Sequence, residues 1–306
     1  MSNNAEATTS NIWEHTTASC SLGSISIDRV VDSERMTLPS SILLPTACED
    51  ELRGLAGKMG PRIIDPETLM VSLSFNSYLV QTKNHTILVD TCCGNDKERP
   101  QRLEWHHRDG PYLNNLRARG VEPEDIDIVL CTHLHADHVG WNTKLVDGEW
   151  IPTFPNAQYL FTDKEYQHWV HQQAASDLKI NYGSFGDSVL PVVESGQANL
   201  VAPEHEIETG LYLKPAFGHT PGTVVMHIEG ECGQAVICGD VMHHPVQVVH
   251  PEWSSGFCSD PVQSAKSRRD LLERVAGTGT VVLPAHFLAP YYGPVECDGI
   301  GFRTII

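Results

Sequence analysis

The run VLCTHLHADHVG, residues 129–140, constrains the fold more than any other stretch of the sequence. An apolar segment typical of a buried strand is followed directly by His133, His135, Asp137 and His138. Residues i and i+2 of an extended segment face the same way, so the first two histidines can present their rings to one point. Asp137 and His138 come where the chain must turn, and their side chains can reach a neighbouring point. The pattern favours two metal ions over one, and over the alternative of surface histidines in a polar loop.

Three more polar residues terminate apolar strands. FGHTPG places His219 at a strand end, VICGD places Asp240 at another, and VVLPAH places His286 at a third. Singly, each has a plain structural explanation as a turn residue, a helix cap or a buried histidine. Their shared position favours convergence on one rim of a sheet. The donor set of five histidines and two aspartates fits zinc best, leaves manganese or iron open, and implies two ions bridged by a carboxylate and a water.

Strands alternate with helices in both halves, which predicts one α/β domain with sheets inside and helices outside. LMVSLSFNSYLVQTKNHTILVD predicts a hairpin around TKNH, and PYLNNLRARG predicts a helix closed by Gly120. Asp163 and Asp260 are predicted helix caps.

The domain organisation expected from the sequence has three parts. Residues 1–20 are polar and aperiodic and predict a mobile arm, and residues 21–306 predict a single domain. Prolines and glycines over about 39–67 predict an irregular or short-helical excursion that wraps a site or supplies a homodimer contact.

Composition excludes several partners. The 21 basic and 39 acidic residues give a formal charge of −18, which disfavours nucleic acid and anionic membranes. No signal-like N-terminus and no run of about 20 apolar residues are present, so a cytoplasmic protein is expected. The nine cysteines are expected to be free thiols, and the vicinal pair Cys92 and Cys93 has no assigned role.

The motifs HLHADH, GHTPG, CGD and PAH, in this order, resemble those of the metallo-β-lactamase fold hydrolases from about residue 70 to the C-terminus. The resemblance implies an αββα sandwich of two mixed β-sheets flanked by helices. It implies that His133, His135 and His219 hold one Zn²⁺, that Asp137, His138 and His286 hold a second, and that Asp240 bridges them. Asp90, which ends ILVDT, matches an acidic residue that orients a ligand loop in such proteins, and a turn-capping role is the alternative.

The branch that this chain resembles most contains N-acyl-homoserine lactonases and methyl-parathion-hydrolase-like enzymes. Three residues after the bridging aspartate the lactonases have a tyrosine that touches the substrate carbonyl, whereas this chain has His243. The implied reaction is attack of a metal-bridging hydroxide on an ester or lactone carbonyl, with Asp137 or Asp240 relaying the proton and His243 or His244 as a further donor. The alternatives are organophosphate triester hydrolysis and a non-catalytic, metal-stabilised binding protein.

The substrate pocket is expected in the loops that follow the ligand-bearing strand ends. These loops suggest an aromatic wall that suits a small apolar ester, lactone or organophosphate, formed by His244, Trp253, Phe287, Tyr291 and Tyr292. A glyoxalase-II-like thioesterase is disfavoured because only Arg303 is basic after His286. The charge disfavours an RNase Z or β-CASP nuclease, and a flavodiiron oxidoreductase would carry a glutamate in place of His135.

Overall fold

The computed structural model describes residues 13–14, 19–176, 179–290, 292–299 and 301–304. The strands are β1 Trp13–Glu14, β2 Ser19–Ser21, β3 Ser26–Pro39, β4 Met70–Gln81, β5 Thr86–Val89, β6 Ile128–Leu130, β7 Thr143–Val146, β8 Glu149–Pro152, β9 Gln158–Thr162, β10 Ala198–Val201, β11 Glu206–Glu208, β12 Leu211–Pro215, β13 Val224–Gly230, β14 Gly233–Gly239, β15 Val281–Pro284, β16 Val295–Asp298 and β17 Gly301–Thr304. The α-helices are α1 Ser40–Leu43, α2 Glu49–Met59, α3 Tyr112–Arg117, α4 Ala136–Val139, α5 Asp163–Ala174, α6 Leu190–Glu194, α7 Val246–Val249 and α8 Pro261–Val275. Short 3-10 turns cover Pro123–Asp125, Gly140–Asn142 and Asn181–Gly183, and one π-helical turn covers Phe185–Val189.

Two mixed sheets form the centre of the described part of the chain. The first has the order β1-β2-β3-β4-β5-β6-β9-β10, and the second has the order β11-β12-β13-β14-β15. The strands β5, β6, β9 and β10 pair in parallel, as do β14 and β15, and the other pairs within these sheets are antiparallel. The predicted hairpin is present, because β4 pairs with β5 across the turn from Thr82 to His85.

Alternation along the strands explains the layers. On β4, Tyr78 and Val80 belong to the core shared with the second sheet, whereas Leu79 between them belongs to a second core with helices α3 and α5. Successive side chains of a strand point to opposite faces of the sheet. Because helices cover one face of this sheet and the second sheet covers the other, the side chains on both faces are apolar. Helix α8 adds Leu271 and Leu272 to the core shared by the sheets. The predicted αββα fold is confirmed.

Of the two alternatives predicted for the segment 39–67, irregular or short-helical, the structure shows the short-helical one. The segment contains helix α2, which buries Leu52, Leu55 and Ala56 in a third core that also holds Phe75 and Trp105. Pro39 precedes α1 and Gly60 follows α2, whereas Gly54 and Gly57 lie within α2.

The predicted ends of several elements differ from the observed ones. Thr162, and not Asp163, is the N-cap of α5, because its side chain accepts a hydrogen bond from the Glu165 amide. Asp260 caps α8 as predicted. Helix α3 ends at Arg117, and Gly120 closes the following turn with a φ of 78°.

The arm predicted over residues 1–20 lies largely outside the described residues. Of its described parts, Trp13–Glu14 and Ser19–Cys20 form strand pairs of the first sheet instead of a free arm. Within the described ranges, no helix combines the length and the apolar character that crossing a membrane requires.

Candidate metal centre

The strand directions bring the seven predicted ligands to one place. Strands β12 and β14 both pair antiparallel with β13, and β15 is parallel to β14, so the three end at the same edge of the second sheet. His219, Asp240 and His286 follow those ends. The first sheet contributes the histidine loop that follows β6 and continues into α4.

The first cluster of donor atoms comprises His133, His135, His219 and Asp240. His135 Nδ1 lies 3.0 Å from His133 Nε2 and 2.8 Å from His219 Nε2, and the latter two nitrogens are 3.2 Å apart. Ligands at about 2.0–2.1 Å from a tetrahedral zinc ion lie roughly 3.3 Å from one another. The spacing of the three ring nitrogens therefore fits a single bound ion.

The second cluster comprises Asp137, His138 and His286. Asp240 lies between the clusters, and its two oxygens face different sides. Its Oδ1 is 3.2 Å from His138 Nε2 and 3.0 Å from His286 Nε2, whereas its Oδ2 is 3.2 Å from His219 Nε2. One carboxylate thus offers one oxygen to each cluster.

Two of these buried atoms make no hydrogen bond despite their close contacts. Oδ1 of Asp240 and Nε2 of His138 are both without a hydrogen-bond partner among the described residues. Buried polar atoms are nearly always paired, so an orphaned carboxylate oxygen facing an orphaned ring nitrogen calls for an explanation. The donor set and these orphaned atoms fit two divalent ions, with Asp240 between them.

Charge within the site follows from burial and from the neighbours. Burial lowers the pKa of His133 well below its usual value, and the ring of His138 lowers it further. Burial opposes ionisation of Asp240, but the surrounding histidines, His138 foremost, hold its pKa well below the usual value. Burial also opposes the charged form of His138, yet Asp240 and Asp90 together raise its pKa well above the usual value. A cation bound there would displace the His138 proton.

Asp90 contacts the ligand loop in two ways. Its Oδ2 lies 2.8 Å from His138 Nδ1, and its two oxygens accept hydrogen bonds from the Thr132 amide and hydroxyl at 2.7 and 2.9 Å. The residue follows strand β5 directly and has a left-handed φ of 59°. A carboxylate on the far nitrogen of a histidine ring fixes the orientation and tautomer of that ring.

Sequence reasoning missed Glu165, a buried carboxylate in the first turn of α5. Its Oε1 accepts from the Leu134 amide at 3.0 Å and from Trp169 Nε1 at 2.7 Å. Its Oε2 accepts from the Thr220 hydroxyl at 2.6 Å and from the Gly222 amide at 2.9 Å. One side chain therefore ties the HLHADH loop to the GHTPG loop. In the sequence it is one of three consecutive charged residues at the start of the helix, so no local signal identifies it.

A cavity of about 730 Å³ opens onto the two clusters. Its lining combines apolar side chains with polar residues of the site, among them the candidate ligands Asp137 and Asp240 and the neighbouring His243. His243 Nε2 lies 3.1 Å from Asp240 Oδ2, and neither ring nitrogen has a hydrogen-bond partner among the described residues. The apolar wall consists of Met36, Leu38, Ile42, Met70, Leu73 and Phe257.

The aromatic residues predicted for the pocket lie elsewhere. Phe287 and Tyr292 belong to the core shared by the two sheets, and Trp253 belongs to the third core and stacks on His250. His244 is fully buried, with Nε2 3.3 Å from the Ile63 carbonyl oxygen. These loops turn back into the protein, so their large apolar side chains pack inside it instead of facing the cavity. Tyr291 lies outside the described residues.

Comparison with known proteins gives a consistent assignment. Residues 73–286 match the model of the Metallo-beta-lactamase superfamily. The N-acyl homoserine lactonase AiiA of Bacillus thuringiensis subsp. kurstaki is 24% identical over 179 residues, 55% of this chain and 63% of that protein. The N-acyl homoserine lactonase AiiB of Agrobacterium fabrum is 30% identical over 84 residues, 23% of this chain and 29% of that protein. The chain thus spans less than two thirds of the length of these curated relatives.

Solved structures match over more of the chain. A hydrolase of the beta lactamase superfamily, AbOPH, has a TM-score of 0.79 at 24% identity, covering 94% of this chain and 96% of that one. AidC, described as a dizinc quorum-quenching lactonase bound to its product N-hexanoyl-L-homoserine, has a TM-score of 0.74 at 21% identity, with 94% and 96% covered. At these identities the likeness establishes the fold.

Proposed function

Because this chain belongs to the metallo-β-lactamase superfamily, we propose that it is a dinuclear-metal-dependent hydrolase of carboxylic esters or lactones. The single observation that carries the proposal is the position of Asp240, whose two oxygens face two separate groups of donor atoms at the floor of a cavity. The curated relatives named as lactonases support the carbonyl substrate.

The proposed ligands of the first ion are His133, His135 and His219, and those of the second are Asp137, His138 and His286, with Asp240 shared. This donor set favours zinc, because most of its ligand atoms are imidazole nitrogens and it contains no thiolate. Two such ions would supply an activated water at neutral pH and polarise the carbonyl oxygen of the substrate.

The protein's own groups have three roles in this proposal. The apolar wall of the cavity holds the acyl or aryl part of the substrate and excludes water from it. Asp137, whose side chain is 16% exposed, faces the cavity and is placed to carry a proton to the leaving oxygen. His243 presents two unpaired ring nitrogens at the same floor and is placed as a second donor.

A parallel activity screen tests the proposal. Zinc-loaded and EDTA-treated protein are compared on an acyl-homoserine lactone, a γ-lactone, an aryl carboxylic ester and an aryl phosphotriester. We expect turnover of a lactone or carboxylic ester that EDTA abolishes. Turnover confined to the phosphotriester, or no turnover by protein that holds two metals, would contradict the proposal.

A further inference from the structure

Arg102 lines the cavity with its guanidinium surrounded by aromatic rings. Its Cζ atom lies 5.5 Å from the ring centre of Trp105, 5.7 Å from that of Tyr182 and 5.5 Å from that of Phe257. Cations within about 6 Å of an aromatic ring centre are attracted to its face. Three rings on one guanidinium hold it in place without neutralising it.

The charge of Arg102 is not paired within the described part of the chain. Its Nε donates to the Tyr182 hydroxyl at 3.2 Å, while Nη1 and Nη2 have no acceptor among the residues described. The neighbouring cation of the cavity wall differs, because Lys179 forms an ion pair with Glu98 at 2.8 Å. Arg102 therefore offers a free two-pronged donor, which matches the geometry of a carboxylate.

The position of Tyr182 depends on an unusual backbone. Asn181 and Tyr182 both have left-handed φ angles, 47° and 56°. Such residues cost free energy and persist where surrounding contacts enforce them, often at functional sites. The enforcing contacts here are the hydrogen bonds from Asn181 Nδ2 to the Leu134 carbonyl at 2.7 Å and from the Ala136 amide to Asn181 Oδ1 at 3.1 Å. The aromatic surround of Arg102 is thus anchored to the loop that carries the histidine cluster.

A series of ring contacts connects Arg102 with the floor of the cavity. Trp105 packs edge-on against Phe75 with ring centres 5.9 Å apart, and Phe75 packs edge-on against His286 at 4.8 Å. Phe75, Trp105 and His286 line the same cavity as the apolar wall. A molecule with a reactive carbonyl at the floor and a short apolar chain would bring the end of that chain toward Arg102.

We propose that Arg102 is a specificity-determining residue that binds an anionic group, a carboxylate, at the end of the substrate's apolar chain. The inference rests on the proposed hydrolase function and narrows its substrate class to ω-carboxylated esters or lactones. A carboxylate would complete the unpaired hydrogen bonds of the guanidinium, and such charge-assisted bonds are among the strongest in proteins.

Binding of compounds that the enzyme does not cleave separates this inference from catalysis. The probes are 4-nitroanilides of glutaric, adipic and suberic acid, each compared by calorimetry with the neutral anilide of the same chain length. In at least one pair we expect the carboxylated compound to bind wild-type protein about 10–100-fold more tightly, the range given by a hydrogen bond to a charged group. Arg102→Gln should remove this preference. Arg102→Lys should retain part of it, because the lysine ammonium keeps the positive charge but cannot form two parallel hydrogen bonds to a carboxylate.

The matched control is Arg117→Gln, which removes an exposed arginine of α3 that pairs with Glu122 at 2.8 Å and is not among the residues that line the cavity. It should keep the preference for the carboxylated anilide, and thermal melting of all variants checks that they are folded. Equal affinity for both members of every pair in wild-type protein, or a preference that survives in Arg102→Gln, would overturn the inference. The lactone and ester screen of wild-type protein, extended to ω-carboxylated esters, is run separately, because the absence of turnover there would overturn the proposed function while the anilide series still decides the role of Arg102.

Discussion

At the scale of single residues, the account depends on how Asp240 is used. Each of its oxygens lies within 3.2 Å of a ring nitrogen from a different cluster, and the carboxylate is buried. A buried carboxylate is stable when it is paired or coordinates metal, and here most of its near neighbours are themselves candidate ligands.

The first prediction concerns the bridge. Asp240→Ala removes the shared ligand, so the protein should bind one metal equivalent or none, instead of two. Elemental analysis after dialysis against zinc measures this, with Asp163→Ala at an exposed position of α5 as a control that keeps both equivalents. Two full equivalents in Asp240→Ala would show that the bridge is assigned to the wrong residue.

The second prediction concerns Asp90, which contacts the candidate ligand His138. Asp90→Asn keeps an acceptor for Thr132 but loses the charge that faces His138 Nδ1 at 2.8 Å. The affinity for the second metal should fall about 10–100-fold, as is typical for residues that orient a metal-bound histidine. Competition against a chromophoric chelator measures the two affinities separately. An unchanged second affinity would favour the alternative that Asp90 only caps a turn.

At the scale of helices and strands, Glu165 shows how secondary structure fixes the site. Helix α5 begins directly after β9, and its first turn lies next to the two ligand loops. Glu165 in this turn accepts one hydrogen bond from a backbone amide of each loop. The loops otherwise belong to different sheets. Their relative position therefore depends on this carboxylate as well as on core packing.

The third prediction follows from those contacts. Glu165→Gln turns one of two acceptor oxygens into a donor, which leaves at least one buried N–H or O–H of the loops unpaired. Such a group costs about 1–3 kcal/mol in unfolding free energy. Urea unfolding of metal-free protein measures it, and Glu194→Gln on the exposed end of α6 should change stability by less than about 0.5 kcal/mol. If Glu165→Gln lowered the unfolding free energy by no more than Glu194→Gln does, the proposed role of Glu165 would be contradicted.

Strand ends could be predicted from the sequence, whereas pocket walls could not. His133, Asp240 and His286 each follow an apolar run, and sheet geometry then brings strand ends together. Trp253 and Phe287 also follow ligand-bearing strands, but they pack in the apolar cores. Whether a loop residue packs in a core or faces the cavity depends on how the rest of the chain covers the core, which the local sequence does not show. Much of the actual wall comes from strands far away in the sequence, with Met36 and Leu38 on β3 and Met70 and Leu73 on β4. The N-cap of α5 could be predicted only to within one residue, because Thr162 and Asp163 are adjacent and both residue types favour the N-cap position.

At the scale of the whole molecule, the candidate centre joins the two sheets. The histidine loop follows β6 of the first sheet, and His219, Asp240 and His286 follow strands of the second. Ions bound between them would cross-link the layers of the sandwich, which share a single apolar core. Metal binding and stability of the folded state are therefore expected to be coupled.

The fourth prediction is a stability difference between metal-loaded and metal-free protein. A ligand at 100 times its Kd stabilises a folded protein by about 2.7 kcal/mol, which for a chain of this size corresponds to a rise in Tm of roughly 5 °C. Scanning calorimetry of zinc-loaded and EDTA-treated protein measures it, and Asp240→Ala should show a smaller rise. Identical Tm values with and without zinc would contradict binding between the sheets.

The most direct test of the central claim is hydrolysis of a lactone or aryl ester measured while zinc is added stepwise to metal-free protein. The account predicts negligible turnover without metal, a rise that ends at two equivalents, and no comparable rise in Asp240→Ala. Turnover that is already maximal in metal-free protein, or that is unaffected by loss of Asp240, would contradict it.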